Sequence, residues 1–185
     1  DHQRFRGFLC FYSFLIGFME LYHLSLFFLE KQQLVLGVAM IQGASLVFNI
    51  PHLFRALLSW HFDKLYLSAS DSEKALRVVC LVKTLSLGIL MKTDIHMGAF
   101  VIVLLSLKIS ETYESIFCEF YIVEFSENGR TAGDHSSQTD FLYFKSMGRV
   151  SGTLTSSFLI AFVSYKYCFV IGMIITASIF IFTYC

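Results

Sequence analysis

Only one proline, Pro51, interrupts 185 residues, and only 15% of them are charged. With a mean hydropathy of +0.65 the chain has too little polar surface for an ordinary soluble domain. The five cysteines (Cys10, Cys80, Cys118, Cys168 and Cys185) form no C-x-x-C pair. That argues against a zinc site or disulfide framework and leaves them as small apolar side chains. No basic cluster with interleaved aromatics is present, so nucleic acid is not an expected partner. Lys plus Arg and Asp plus Glu number 14 each, and the net charge of +0 identifies no partner, so the placement of charge matters more. No small-residue cleavage site follows the first apolar run, which therefore reads as a span and not as a signal peptide. No internal repeat is evident. The chain opens at Asp1 without a methionine and stops at Cys185 inside an apolar run, as a fragment would.

What the chain does have is apolar length. Hydrophobic residues make up 56%, and Phe alone accounts for 21 positions. A helix crosses the hydrocarbon core with about 20 predominantly apolar residues. Six runs approach that requirement: 8–29, 34–60, 76–91, 98–123, 141–164 and 167–184. The expectation is an all-α membrane protein, a single bundle of six transmembrane helices over residues 1–185. Short polar breaks separate the runs, and the Gly-, Ser- and Asp-rich stretch 124–140 reads as a cytoplasmic loop. Arg4, Arg6, Lys64, Lys74, Arg77, Arg130 and Lys145 would lie on one side, against Lys31, Lys92 and Lys166 on the other. That bias places the amino terminus in the cytoplasm.

Charges inside these runs are the candidate functional residues. An ionisable side chain at mid-membrane costs about 2.5–3.5 kcal/mol on insertion scales, so it faces protein or a water-filled cavity. Glu20, His23, Arg55, Lys83, Lys108, Glu111, Glu114, Glu119 and Arg149 all fall in or near apolar runs. Along VLLSLKISETYESIFCEFYIVEF, Lys108, Glu111, Ser115 and Glu119 share an arc of about 80° at helical spacing, with Glu114 at its margin. Such a stripe suits a cavity wall, and it equally suits interhelical salt bridges. In NIPHLFRALL, Pro51 predicts a kink, while Arg55 requires a carboxylate partner or an anionic ligand. Gly148 and Gly152, four apart, form a small-residue stripe for close helix packing. Arg149 beside them reads as an interfacial or ion-pairing residue.

Three stretches resemble the folate–biopterin transporter family of the major facilitator superfamily. In LSLFFLEKQQLVLGVAMIQGASLVFNIPHLFRALLSWHFDKL, the residues Pro51, His52, Arg55 and Ala56 stand at the positions of a Pro-Trp-x-x-Lys-Pro type motif. Asp63 matches the aspartate that ends that helix. In EFYIVEFSENGR, Glu119, Val123 and Glu124 match the fourth-helix signature, and DFLYFKSMGRVSGTLTSSF is similar to the opening of the fifth helix. The resemblance implies the amino-terminal six-helix half of a major facilitator superfamily fold, working by alternating access with a missing second half or a homodimer partner. It implies a folate, biopterin or related pterin-like solute. A pterin presents an exocyclic amino group beside a ring N–H, which suits a carboxylate, and folate's carboxylates suit Arg or Lys. The expected solute-binding residues are Glu119, Arg55, Lys108 and Glu111. Glu20 and His23 are expected to carry protons. Pro51, Asp63, Gly148 and Gly152 are expected to serve packing or gating.

Other readings stand beside this one. His135 and Asp140 have the His-x4-Asp spacing of acyltransferases, but no phosphate-binding motif accompanies them, so an enzyme is not expected. A carrier of another polar solute and a non-transporting membrane protein or half-transporter fragment are the remaining alternatives. No cofactor or metal is expected, and the lipid bilayer is the expected environment.

Overall fold

Pro51 marks the place where the second apolar run breaks. It has no N–H to give the carbonyl four residues back, and its ring crowds that carbonyl. The computed structural model describes residues 2–32, 38–65, 69–92, 96–128 and 136–182. Within them, α3 (Val38–Leu53) ends two residues after Pro51, and α4 (Arg55–Leu65) begins after the single turn residue Phe54. Helical bonding nevertheless carries across the break, from the Phe54 N–H to the Ile50 carbonyl at 3.2 Å and from the Leu58 N–H to Phe54 at 3.0 Å. The result is a bent, nearly continuous rod.

A second break has no proline to announce it. Helix α1 (His2–Phe18) gives way to α2 (Leu21–Gln32) through a turn at Met19–Glu20. There the Glu20, Tyr22 and His23 N–H groups bond three residues back, at 3.1, 3.4 and 3.1 Å, which tightens the chain locally. The remaining helices are α5 (Ala69–Leu90), α6 (Met97–Asn128), α7 (Ser136–Phe162) and α8 (Lys166–Phe182). The described residues therefore form eight helices and no strand.

The expectation of six transmembrane helices, and of a half-carrier architecture built from them, is corrected here. Among the described residues one stretch, Leu9–Lys31, is long and apolar enough to cross a membrane, and half of its apolar window is buried inside the structure. That composition fits a single crossing near the amino terminus, a signal sequence or a core helix. The other runs fail for identifiable reasons. Helix α5 carries Glu73, Lys74, Arg77 and Lys83, while α6 carries Lys108, Glu111, Glu114 and Glu119. Helix α7 opens on Ser-Ser-Gln-Thr-Asp and includes Lys145 and Arg149, α3 and α4 are split at Phe54, and α8 has 17 residues. Residues 129–135, the middle of the expected 124–140 loop, lie outside the described residues; α6 extends to Asn128 and α7 starts at Ser136.

Packing is organised around two pairings. Helix α1 lies on α7, and α5 sits between α6 and α8. At the first contact the backbones nearly touch. A Cβ at Gly148 would meet the Phe14 carbonyl, one at Gly152 the Phe18 carbonyl, and one at Gly17 the Lys145 carbonyl. Three glycines on two helices thus allow an approach that alanine would forbid. The main core joins α2, α5, α6 and α8 through Tyr22, Leu29, Leu87, Leu90, Leu104, Leu107 and Phe169. A smaller cluster at the other end gathers Tyr12, Leu76, Cys80, Phe117, Cys118 and Ile179. Cys10, Cys80, Cys118 and Cys168 are buried thiols, in keeping with their apolar surroundings in sequence.

Many large apolar side chains are exposed. Leu46, Leu53, Phe54, Leu57 and Trp60 are exposed along α3 and α4, as are Leu142, Val150, Leu154, Phe158 and Phe162 along α7. Meanwhile Lys83, Glu30 and Glu114 are buried. An apolar core is present, but the extent of exposed large apolar side chains and the buried charges both depart from the pattern of a water-soluble domain.

Candidate functional site

Helix α6 is the hub of the polar interior. Its spacing turns Lys108, Glu111, Ser115 and Glu119 to one side. Leu104 and Leu107 are buried in the main core, while Lys108 and Glu111 face α2, Glu114 faces α5 and Glu119 faces α4.

The densest group lies between α2 and α6. Lys108 donates from Nζ to Glu111 Oε2 at 2.8 Å and to His23 Nε2 at 3.0 Å. Tyr22 donates its hydroxyl to Glu111 Oε1. His23 Nδ1 lies 2.8 Å from Glu20 Oε2, and Arg149 Nε reaches Glu20 Oε1 at 3.3 Å. His23 Nε2 faces both the Lys108 ammonium at 3.0 Å and Glu111 Oε1 at 3.1 Å, while Nδ1 faces Glu20, so the ring is held between one cation and two carboxylates. The row Lys108–His23–Glu20–Arg149 links α6, α2 and α7. Lys108 and Glu111 are 12% and 14% exposed, whereas Arg149 is 57% exposed, so the row runs from the interior to the surface.

Two further ion pairs flank this row. Arg55, the first residue of α4, pairs with Glu119 and reaches Ser115 Oγ at 3.5 Å. These side chains are 39% and 56% exposed. An exposed pair of this kind contributes about 0–1 kcal/mol, so it can exchange partners cheaply. His61 Nδ1, 3.2 Å from the Tyr113 hydroxyl, is a second polar link between α4 and α6. On the opposite flank Lys83 of α5 pairs with Glu114 at 1% and 3% exposure. Glu114 Oε1 has no hydrogen-bond partner there. This pair is fully desolvated and cannot exchange without a large penalty.

The structure brings six sequence-derived candidates into two constellations: Glu20, His23, Lys108 and Glu111 in one, Arg55 and Glu119 in the other. Pro51 is buried and bends the rod that delivers Arg55, while His52 beside it is exposed. Gly148 and Gly152 stand at the α1–α7 contact, and Gly17 is the third member that sequence spacing missed. Asp63 belongs to α4 and Glu124 to α6, but their side chains lie outside the described residues. His135 also lies outside them, so the His135–Asp140 spacing has no described geometry. Tyr22 joins the α2–α6 group although sequence reasoning gave it no role, and Arg149, read there as an interfacial or ion-pairing residue, pairs with Glu20. Arg149 was detectable as the sole arginine of the fifth apolar run. Among the described residues no three His, Cys, Asp or Glu side chains gather as a metal site would require.

No protein family, curated protein or solved structure matches this chain.

Proposed function

We propose that the chain is an integral membrane protein that binds and carries folate, biopterin or a related pterin-like organic anion past the charged row of α2 and α6. The observation that carries this reading is a charged network in the interior together with large apolar side chains exposed outside. Lys108, Glu111, His23 and Glu20 form a linked, partly buried network inside a body whose outer helices expose Leu, Phe and Trp. A bilayer tolerates that exterior, and interior charges there commonly mark a solute or ion pathway. Leu9–Lys31 supplies the membrane crossing, with Arg4 and Arg6 ahead of it on the cytoplasmic side.

The resemblance to the folate–biopterin transporter family supports the solute class and an alternating-access cycle, with a second copy of the chain as partner. Glu119 and Glu111 are the carboxylates offered to a pterin's amino and ring N–H donors. Arg55 and Lys108 are the cations paired with them, and Arg55 can exchange Glu119 for a solute anion at little cost. His23 and Glu20 form the proton-carrying end of the row. No catalytic step and no cofactor enter the cycle.

One observation favours a second reading. Lys83, Lys108, Arg55 and Arg149 each have a carboxylate partner inside the chain, as a non-transporting bundle held by ion pairs would also show. Uptake of labelled folate and biopterin by cells expressing the chain separates the two. Saturable uptake above control, abolished in Glu111→Gln at equal membrane abundance, supports the carrier. Membrane insertion without uptake of either solute supports the structural bundle.

A further inference from the structure

We infer that protonation of His23 switches its partner on α6 from Lys108 to Glu111, which makes the junction between α2 and α6 responsive to pH. The inference goes beyond the carrier reading and holds whether or not a solute is bound.

Nε2 of His23 lies 3.0 Å from Lys108 Nζ and 3.1 Å from Glu111 Oε1. An ammonium only donates a hydrogen bond and an ionised carboxylate only accepts one, so a single ring nitrogen cannot satisfy both. Both oxygens of Glu111 act as acceptors, Oε1 from the Tyr22 hydroxyl and Oε2 from Lys108 at 2.8 Å, which is the pattern of the ionised form. With Nε2 bare, the ring accepts from Lys108 and turns a lone pair towards Glu111. With a proton on Nε2, it donates to Glu111 and turns a positive edge towards Lys108. Each state keeps one favourable contact and one opposed contact, so the proton decides between them. Nδ1 serves both states in the same way, donating to Glu20 Oε2 at 2.8 Å. The exchange is therefore confined to the nitrogen that faces α6.

The position of His23 gives the exchange leverage. It is the third residue of α2 (Leu21–Gln32), directly after the break at Met19–Glu20, and its N–H bonds the Glu20 carbonyl at 3.1 Å. Ahead of the break, α1 is fixed to α7 by the contacts at Gly17, Gly148 and Gly152. The ring thus connects the break, through Glu20, to α6. Its side chain is 35% exposed, so a proton can arrive from water. The charges around it are Glu20 at the break, Lys108 and Glu111 of α6, Arg149 of α7 behind Glu20, and Lys83 of α5. Lys108 acts in addition on His52 of α3.

The test is a pH titration of the full chain in detergent, with isotope-labelled histidine rings followed by nitrogen NMR and His23 assigned by the signal lost in His23→Gln. Above its midpoint the unaltered chain should hold a neutral ring with Nδ1 protonated and Nε2 bare; below it both nitrogens should carry protons. In Lys108→Met that preference for Nδ1 should weaken, and the midpoint should rise by about one pH unit or more. Glu111→Gln should lower the midpoint by a similar amount, because the acceptor that favours the charged ring has lost its charge. A neutral ring with its proton on Nε2 overturns the exchange, and that readout needs no variant to fold. A ring that does not titrate before the chain unfolds overturns it too. So do midpoints that stay put, or move in one direction, in variants whose melting curves match the unaltered chain. Folate enters none of these readouts, so failure of the carrier reading leaves the outcome decidable.

Discussion

Replacing Lys83 by Met should destabilise the fold far more than replacing Lys83 and Glu114 together. Both side chains are essentially inaccessible, and among the described residues Lys83 offers the only hydrogen bond that Glu114 accepts, its second oxygen having none. Removing one partner leaves an uncompensated buried charge, which costs about 3–5 kcal/mol. For a chain of this size each kcal/mol moves the melting midpoint by about 2–4 °C, so Lys83→Met should lower it by roughly 6–20 °C. The double variant Lys83→Met/Glu114→Met removes both desolvation penalties and fills the space with apolar atoms. It should melt close to the unaltered chain or above it, because apolar replacement of buried pairs is often neutral or stabilising by about 1–4 kcal/mol. The assay is thermal unfolding in detergent, followed by fluorescence of Trp60, the chain's only tryptophan. A single variant that melts within 2 °C of the unaltered chain, by the same conversion a change of about 1 kcal/mol or less, would refute the reasoning. So would a double variant whose loss equals the sum of the two single losses, since partners in direct contact should couple.

Two other expectations follow from the same geometry. Gly148→Ala places a methyl group against the Phe14 carbonyl and should force α1 and α7 apart, at about 1–3 kcal/mol, whereas Gly7→Ala, with open space around it, should be tolerated; thermal melts of both variants check the contrast. Arg55→Ala and Glu119→Ala remove an exposed pair and should each change stability by about 1 kcal/mol or less while impairing folate uptake, so a large loss of stability would mark the pair as structural.

The sequence disclosed helices, the bend at Pro51 and the shared side of Lys108, Glu111 and Glu119, because each follows from local spacing or from one residue's covalent geometry. The partners were harder to see. Lys83 and Glu114 are 31 positions apart, and His23 and Glu111 are 88 apart. Periodicity shows which residues share a side but not which helix faces that side. The break at Met19–Glu20 carries no proline and was hidden inside an apolar run. Counting apolar runs also overestimated the membrane crossings. Runs such as 98–123 hold enough length, but Lys108, Glu111, Glu114 and Glu119 disqualify them on composition even though those charges turn inward to partners. Arg149 looked interfacial because it sits beside Gly148 and Gly152; its contact with Glu20 depends on the close approach those glycines permit.

The most direct test of the central claim is a binding isotherm of folate on the purified, detergent-solubilised chain, measured beside Lys108→Ala and Glu111→Gln variants of confirmed fold. The charged row predicts saturable one-site binding that both substitutions weaken by about tenfold or more, as expected when charge-assisted hydrogen bonds are lost. Absence of folate binding, or binding indifferent to both substitutions, would contradict a solute site at α2 and α6 and leave the row as a set of structural ion pairs.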